Sequence, residues 1–216
     1  AMAIAECLQK SGYGVAVMCD GKNEYGYHSR FVDERYLGPD SHSDGYAEFM
    51  LSFLKEHHFD VLIPTSDTAA EFMSFHKEEL EKLIGVLMPS REVFEKGYDK
   101  NKLMTLCKEK GFPHPHTVDL SKVESLDAEE LRDFPYPALL KPNLTSGGRG
   151  MTLVGSLEQL KEVYPAIHQQ YGECHLQQYI KPGGRQIKVQ VMTDSKGESR
   201  YTSVIWKQRY YPVNGG

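Results

Sequence analysis

The sequence has 216 residues and a formal net charge of −5, with 40% hydrophobic and 25% charged residues. This length accommodates one large or two small domains, and the net negative charge argues against a nucleic-acid partner held by a positive field. No apolar run approaches the ~18 residues that a membrane span needs, and no signal peptide is visible. The four cysteines form no C-x-x-C pair, which favours reduced thiols in a cytoplasmic protein. We therefore expect neither nucleic acid nor a membrane as a partner.

Residues 1–89 alternate between helix and strand patterns. A helix over residues 4–10 precedes the apolar run GVAVMCD, which is typical of a strand buried on both faces. A second helix is predicted to begin with a serine cap at Ser43, and the strands FDVLIPTSD and IGVLMP flank a third helix over 67–82. This repetition implies parallel strands joined by right-handed crossovers. Because such a unit usually begins on a strand, we expect that its first strand is missing from this sequence.

Residues 90–216 predict an antiparallel α+β arrangement. Asp99 can cap a helix that ends at Gly111, and the stiff linker FPHPHT follows. Two strands, PALLKP and GMTLVG, flank a glycine-rich loop, and a helix capped by Ser156 runs to Tyr171. Three further strands are HLQQYI, RQIKVQVMTD and RYTSVIWKQ. In the second of these, apolar and polar residues alternate, which predicts one buried face and one polar face.

The loop KPNLTSGGRGM, which begins at Lys141, combines the groups that bind phosphate. Glycine lets backbone N–H groups approach an anion closely, Arg149 offers a fork of donors, and a lysine that ends a strand places a point charge. The lysine precedes the glycines and the pattern G-x-x-x-x-G-K-S/T is absent, so the loop is not a P-loop. Its composition alone leaves two interpretations open, a flexible turn between two strands and a lid over a polyphosphate.

Four segments, in order, resemble the ATP-grasp superfamily, especially its carbamoyl-phosphate-synthase-like and biotin-carboxylase-like members. They are similar to the family's Asp-Lys helix, its lysine with a glycine-rich lid, its hinge, and a strand pair that ends in Asp-x-x-Gly. The four segments read DKNKLMTLCKEKGFPHPHT, YPALLKPNLTSGGRGM, LQQYIKPG and RQIKVQVMTDSKGE. The resemblance implies an α/β fold with a Rossmann-like pre-ATP-grasp domain over 1–89. An incomplete α+β ATP-grasp domain over 90–216 would follow, with its lid subdomain over 116–183.

The resemblance also implies roles for individual residues in binding ATP. Lys100 and Lys141 match the family's two nucleotide lysines, which are expected on the phosphates, and Arg149 is a candidate phosphate contact in the lid. The strand segment after the lid is expected to read the adenine edge through its backbone. Gln186 stands where an acidic residue often meets the ribose. The full set of expected nucleotide contacts is Lys100, Lys141, Ser146, Gly147, Gly148, Arg149, Gly150, Met151, Gln177, Gln178, Tyr179, Ile180 and Gln186.

The family's Mg²⁺ site has no counterpart in this sequence. ATP-grasp enzymes hold Mg²⁺ with an acidic residue on a late strand and a Glu-x-Asn pair after it, whereas this sequence stops at RYYPVNGG. The nearest acids, Asp194 and Glu198, fall in a predicted turn and do not match. We therefore expect no metal ligand in this chain and Mg²⁺ ligands beyond residue 216. The sequence is then expected to be the N-terminal piece of a longer protein rather than a degenerate relative.

The resemblance finally implies a reaction class. ATP would phosphorylate a carboxylate, and an amine or a similar nucleophile would attack the acyl-phosphate. The expected partners are ATP or ADP and small-molecule carboxylate and amine substrates, and a homodimer is an allowed assembly. The alternative is a non-catalytic nucleotide-binding or interaction module. The substrate is not readable from the sequence, although Asp67 and Glu71 lie near a strand's carboxyl end and are weak candidates for binding it.

Overall fold

The structure is a computed structural model that describes residues 2–181 and 183–209. The chain forms two compact units that divide between Glu95 and Lys96. The helices in the described part of the chain are all too short or too polar to cross a bilayer. The subdivision into a pre-ATP-grasp domain, a lid and an incomplete grasp remains a prediction. Each unit is described separately below.

The first unit contains short helices and two pairs of parallel strands. One pair joins β1 to β2, with Ala16 opposite Glu34, and the other joins β3 to β4, with Val61 opposite Gly85. The parallel direction agrees with the sequence pattern, but strand β2 was not predicted because ERYL is short and mostly exposed. The elements are α1 (Met2–Lys10), β1 (Ala16–Cys19), β2 (Glu34–Leu37), α2 (Tyr46–Glu56), β3 (Val61–Leu62), α3 (Asp67–Phe75), α4 (Lys77–Leu80), β4 (Gly85–Val86) and α5 (Arg91–Tyr98), whose last residues cross the division.

Two predictions for the first unit are wrong in detail. The residue that caps α2 is Gly45, which makes no side-chain hydrogen bond, whereas the Ser43 hydroxyl donates to the Asp40 carbonyl at 2.6 Å. The helix predicted over 67–82 is two helices, because His76, at φ −106° and ψ 22°, leaves the helical conformation between α3 and α4. Apolar periodicity continues across this break, so it could not reveal it.

The second unit contains one four-stranded antiparallel sheet and a separate two-stranded ribbon. The sheet order is β5-β8-β6-β7, and its three pairings are all antiparallel, as the sequence predicted. A 3₁₀ turn over Leu120–Lys122 follows β5. The elements are α6 (Lys100–Lys110), β5 (Thr117–Asp119), α7 (Glu129–Arg132), β6 (Ala138–Pro142), β7 (Thr152–Val154), α8 (Leu157–Tyr171), β8 (Cys174–Gln178), β9 (Gln186–Thr193) and β10 (Ser199–Lys207).

The two faces of the four-stranded sheet have different roles. Ala138 and Leu140 of β6 point to one side, where they belong to the apolar core of this unit together with Leu160 of α8 and Leu176 of β8. All four side chains are fully buried. Because side chains alternate along a strand, Lys141 points to the other side of the sheet. The core therefore fixes the position of a lysine that lies on the opposite face.

The predicted caps of α6 and α8 are confirmed. The Asp99 carboxylate accepts hydrogen bonds from two backbone N–H groups in the first turn of α6, at 2.8 and 3.0 Å, and Gly111 ends that helix at φ 70°. The Ser156 hydroxyl accepts from the Gln159 backbone N–H at 3.3 Å. Asp99 therefore fixes where α6 begins and places Lys100 in its first turn.

The β9–β10 ribbon contradicts the predicted buried face. Ile187, Val189 and Val191 share one face with Val204 and Trp206 of the opposite strand, so the alternation itself is present. All eight residues of β9 are nevertheless exposed. An apolar strand face becomes buried only when a second layer covers it, and among the described residues no element does so.

The hairpin loop between β6 and β7 depends on glycine at one position for packing. Gly147, Gly148 and Gly150 all have positive φ, between 64° and 75°. A Cβ on Gly150 would lie 2.7 Å from the Tyr171 ring and 2.8 Å from Pro142, whereas no described atom lies within 4 Å of a Cβ on Gly147. The loop is thus packed at Gly150, just before β7, and open at Gly147, near its tip.

Gly150→Ala is expected to destabilise the second unit more than Gly147→Ala. Both changes incur the cost of placing alanine at positive φ, about 1 kcal/mol, but only Gly150→Ala adds steric overlap, typically another 1–3 kcal/mol. Urea denaturation of the two variants and the wild type measures the difference. Equal losses would show that the packing of Gly150 against Tyr171 and Pro142 does not hold the end of the loop.

Candidate functional site

The sheet face opposite the core carries a row of polar side chains. In the β6–β8 pairing Lys141 lies opposite His175, and in the β5–β8 pairing Thr117 lies opposite Gln177 and Asp119 opposite His175. Directly opposed residues of antiparallel strands project to the same face. These five side chains, here called the polar face, therefore lie together on three neighbouring strands.

Lys141 is half-buried on the polar face and has a neutral partner. Its Nζ donates to the Gln177 Oε1 at 2.9 Å, and the Gln177 Nε2 donates in turn to the Thr117 Oγ1 at 3.2 Å. Burial lowers the pKa of Lys141, and the nearby charge of Lys100 lowers it further. Among the described residues no carboxylate forms an ion pair with it. The ammonium group is thus oriented by an amide but not neutralised.

Lys100 connects the start of α6 to the start of the glycine-rich loop. Its backbone N–H and its Nζ both lie 3.2 Å from the Asn143 carbonyl oxygen, to which they donate, and Nζ also donates to the Thr145 carbonyl. Lys100 and Lys141 are 41 positions apart in sequence. Nevertheless the charge of Lys100 lowers the pKa of Lys141, and the charges of both lysines lower the pKa of His175. The structure therefore brings the two predicted phosphate lysines to one region.

Asn143 and His175 form a buried polar pair between these lysines. Asn143 is 2% exposed and His175 0%, and the His175 Nδ1 lies 2.7 Å from the Asn143 Oδ1. No described group hydrogen-bonds to the His175 Nε2. Burial, with the charges of Lys141 and Lys100, lowers the pKa of His175 to about 4, so the imidazole is neutral at pH 7.

Sequence analysis did not single out His175. A histidine inside a buried strand carries no motif, and only the register of β8 against β6 shows that it faces Lys141. The signal available in the sequence was a polar residue, His175, in the otherwise β-like run HLQQYI. Such a pattern does not distinguish a site residue from a structural histidine whose ring nitrogens are hydrogen-bonded inside the core.

The glycine-rich loop is folded on itself. The Arg149 guanidinium donates to the Ser146 carbonyl at 3.3 Å and to the Ser146 hydroxyl at 3.2 Å. The Thr145 hydroxyl donates to the Arg149 carbonyl at 2.9 Å. Arg149 is therefore exposed and held by its own loop rather than directed at the polar face.

The remaining predicted contacts fall into two groups. Gln178 is fastened to β5, because its backbone N–H donates to the His116 carbonyl at 2.8 Å and its Oε1 accepts from the His116 N–H at 3.3 Å. Tyr179 and Ile180 follow at the end of β8, and Ile180 is exposed. Gln186 begins the exposed ribbon, so the described contacts do not bring it to the polar face.

The weak candidates for substrate binding lie in the first unit. Asp67 and Glu71 belong to α3 of the first unit, and Asp67 lines a shallow depression with Pro64, Thr65 and Ser66. Within residues 2–181 and 183–209, no three His, Cys, Asp or Glu side chains are grouped so that they could hold a metal ion. The ammonium of Lys141 and the amide of Gln177, which are hydrogen-bonded on the polar face, suit an anion better than a cation.

A family model described as carbamoyl-phosphate synthase L chain, ATP binding domain, matches residues 99–203. The chain is 26% identical over 180 residues to the biotin carboxylase of Halalkalibacterium halodurans, covering 79% of this chain and 40% of that protein. It is 28% identical over 167 residues to the carbamoyl phosphate synthase large chain of Pseudothermotoga lettingae, covering 73% and 14%. The chain thus spans less than half the length of these two relatives.

Solved structures with the same fold include nucleotide complexes. N5-carboxyaminoimidazole synthetase from Staphylococcus aureus, complexed with ADP, superimposes with a TM-score of 0.73 at 14% identity, over 97% of this chain and 52% of that one. A biotin carboxylase of Campylobacter jejuni, described as a beta-gamma-ATP complex, gives 0.69 at 22% identity, over 94% and 46%. At these identities the likeness establishes a mixed α/β fold and nothing finer.

The neutral His175 predicts an acid-sensitive fold. The unfolded chain takes up a proton on this residue near pH 6.5 whereas the folded imidazole resists protonation until about pH 4, so folding stability falls as pH decreases through that window. The expected loss is roughly 3 kcal/mol. Urea denaturation at pH 7.5 and 4.0 should show a smaller loss in His175→Phe than in the wild type. His168→Gln, at an exposed position, is the control, and equal losses in all three proteins would contradict the prediction.

Proposed function

Because residues 99–203 belong to the ATP-grasp superfamily, in the family of the carbamoyl-phosphate synthase L chain ATP-binding domain, we propose that this chain is the nucleotide-binding part of an ATP-dependent ligase. The observation that carries the proposal is the polar face, where Lys141 is held by an amide and lies beside Lys100. The half-buried Lys141 ammonium, whose described hydrogen-bond partner is the neutral Gln177 amide, and the nearby Lys100 ammonium together offer donors suited to a polyphosphate.

The energetics of Lys141 favour an anionic ligand. Burial disfavours its charged form, and the second lysine adds repulsion. A phosphate group placed between Lys141 and Lys100 offsets both costs, since each ammonium gains a charge-assisted hydrogen bond. Gln177 contributes by orienting the Lys141 ammonium through its Oε1. In this proposal Gln177 therefore supports the phosphate site rather than the adenine site.

The glycine-rich loop is proposed to close over the bound phosphates. Its glycines at positive φ present backbone N–H groups that can turn toward an anion. Closure would exchange the hydrogen bonds between Arg149 and Ser146 for contacts to phosphate oxygens, which suit a guanidinium better. Ser146, Gly147, Gly148, Gly150 and Met151 would move with it. Lid closure of this kind excludes water from the reacting phosphate.

The adenine is proposed to bind beside the end of β8. Gln178 is fixed to β5 at both its backbone and its side chain, so the backbone of the next residues, Tyr179 and Ile180, continues from a rigid strand. Main-chain donors and acceptors in an apolar slot are what an adenine edge requires. The exposed Ile180 side chain would cover one face of the ring. The predicted ribose contact of Gln186 would require the ribbon to approach the polar face.

The reaction is proposed to be carboxylate activation followed by ligation. A carboxylate oxygen would attack the γ-phosphorus of ATP, the bond to the β–γ bridging oxygen would break, and ADP would leave. An amine would then attack the acyl carbon of the acyl-phosphate and release phosphate. Lys100 and Lys141 would stabilise the negative charge that develops on the phosphates. When bound, Mg²⁺ would neutralise further phosphate charge. The proposal assigns Mg²⁺ no ligand in this chain.

Lys141→Met is expected to abolish nucleotide binding without unfolding the chain. Saturation with ADP at 100 times its dissociation constant should stabilise the wild type by about 2.7 kcal/mol, and this gain should disappear in the variant. Loss of a half-buried charge offsets loss of the Gln177 hydrogen bond, so the free energy of unfolding without nucleotide should stay within about 1 kcal/mol. Thermal unfolding with and without Mg-ADP measures both quantities.

The matched control is Lys161→Met, because Lys161 lies in the same unit and pairs with the exposed Asp127, which is not part of the polar face. It should retain the full ADP-induced shift. An undiminished shift in Lys141→Met would refute the proposed phosphate site. A wild-type chain that does not respond to ADP would refute the nucleotide-binding function itself.

A further inference from the structure

His175 is a side chain of the polar face to which the proposed function gives no role. It lies directly opposite Lys141 in the β6–β8 pairing and is completely buried. Burying an imidazole without hydrogen bonds costs free energy. The described residues offset this cost at a single atom, Nδ1, through the 2.7 Å contact to Asn143. That contact is therefore the feature of His175 that requires an explanation.

The contact to Asn143 leads to the first phosphate lysine. An amide oxygen can only accept, so the His175 Nδ1–H donates to the Asn143 Oδ1. The backbone of Asn143 is fixed at its other end, where its N–H donates to the Glu173 carbonyl at 2.9 Å. Its carbonyl then accepts from both the backbone N–H and the Nζ of Lys100. A continuous series of contacts thus runs from His175 through Asn143 to Lys100.

The chemistry of the imidazole fits this position better than a charged group would. A carboxylate opposite Lys141 would form an ion pair with it and compete with a phosphate ligand. A third cation would add to the repulsion between Lys141 and Lys100. A neutral donor fixes Asn143 and adds no charge that would pair with Lys141 or repel it. The opposing acids, Asp99 and Asp119, already have other partners in the helix cap and in Ser121.

We propose that His175 is a positioning residue of the phosphate site, which acts through Asn143 to place Lys100 beside Lys141 so that both ammonium groups reach the same polyphosphate. The inference rests on the proposed function, because it gives a role in nucleotide binding to a residue that does not touch the nucleotide. It also specifies the ligand chemistry: His175 affects the affinity for the phosphates and not the affinity for the base.

The test compares two ligands that differ only in their phosphates. Isothermal titration calorimetry on the full chain gives the dissociation constants for ADP and for adenosine in the wild type, His175→Phe and His175→Asn. His175→Phe fills the space but removes the donor, so its ADP constant should rise about tenfold. Its adenosine constant should stay within about twofold, because adenosine does not reach the lysines. His175→Asn restores an N–H donor and should recover most of the ADP affinity.

A second variant covers the case in which His175→Phe does not fold. Asn143→Ala removes the acceptor, keeps the backbone carbonyl that holds Lys100, and should produce the same selective loss of ADP affinity. If the folded variants lose ADP and adenosine affinity in equal proportion, or lose neither, His175 has only a packing role and the inference is overturned. A wild type that binds neither ligand overturns the proposed function as well, so the two failures are distinguishable.

Discussion

The antiparallel pairing of β6 with β8 is the constraint on which the rest of the second unit depends. This register buries Leu140 against Leu176 on one face and sets Lys141 opposite His175 on the other. A shift by one residue would exchange the two faces, placing the lysine in the apolar core and the leucines in the site. The core and the proposed phosphate site are therefore stabilised by the same pairing, and neither can change register without the other.

The environment of Lys141 on the polar face disfavours its positive charge. Burial and then the charge of Lys100 lower the pKa of Lys141, and the nearby groups Asn143, His175 and Gln177 are all neutral. Stability alone would favour a carboxylate as the partner of Lys141, or an apolar side chain in place of Lys141. Perturbed pKa values of this kind cluster at functional sites, which agrees with the proposed role of Lys141 in binding phosphate.

Local sequence patterns predicted local structure well and tertiary structure poorly. Asp99, Gly111 and Ser156 act through neighbouring backbone groups, so their caps were readable from sequence. The break at His76 was not, because it does not disturb the apolar period, and the strand β2 was not, because ERYL is short and mostly exposed. The alternation in β9 correctly identified a strand, but its burial depends on a covering layer that no strand sequence specifies. His175 belongs to the same class, since its role exists only through the register with β6. The motifs located Lys100 and Lys141, and folding was needed to show their shared neighbour, Asn143.

The central claim is that Lys141 of the polar face and the nearby Lys100 bind the phosphates of ATP. Protection of these two amines from chemical acetylation tests it most directly. Peptide mass spectrometry gives the acetylation rate of each lysine with and without saturating Mg-ATP. The account predicts that the rates at Lys100 and Lys141 fall about tenfold or more, while the rate at Lys122 does not change. Equal acetylation of Lys141 in the presence and absence of ATP would contradict it.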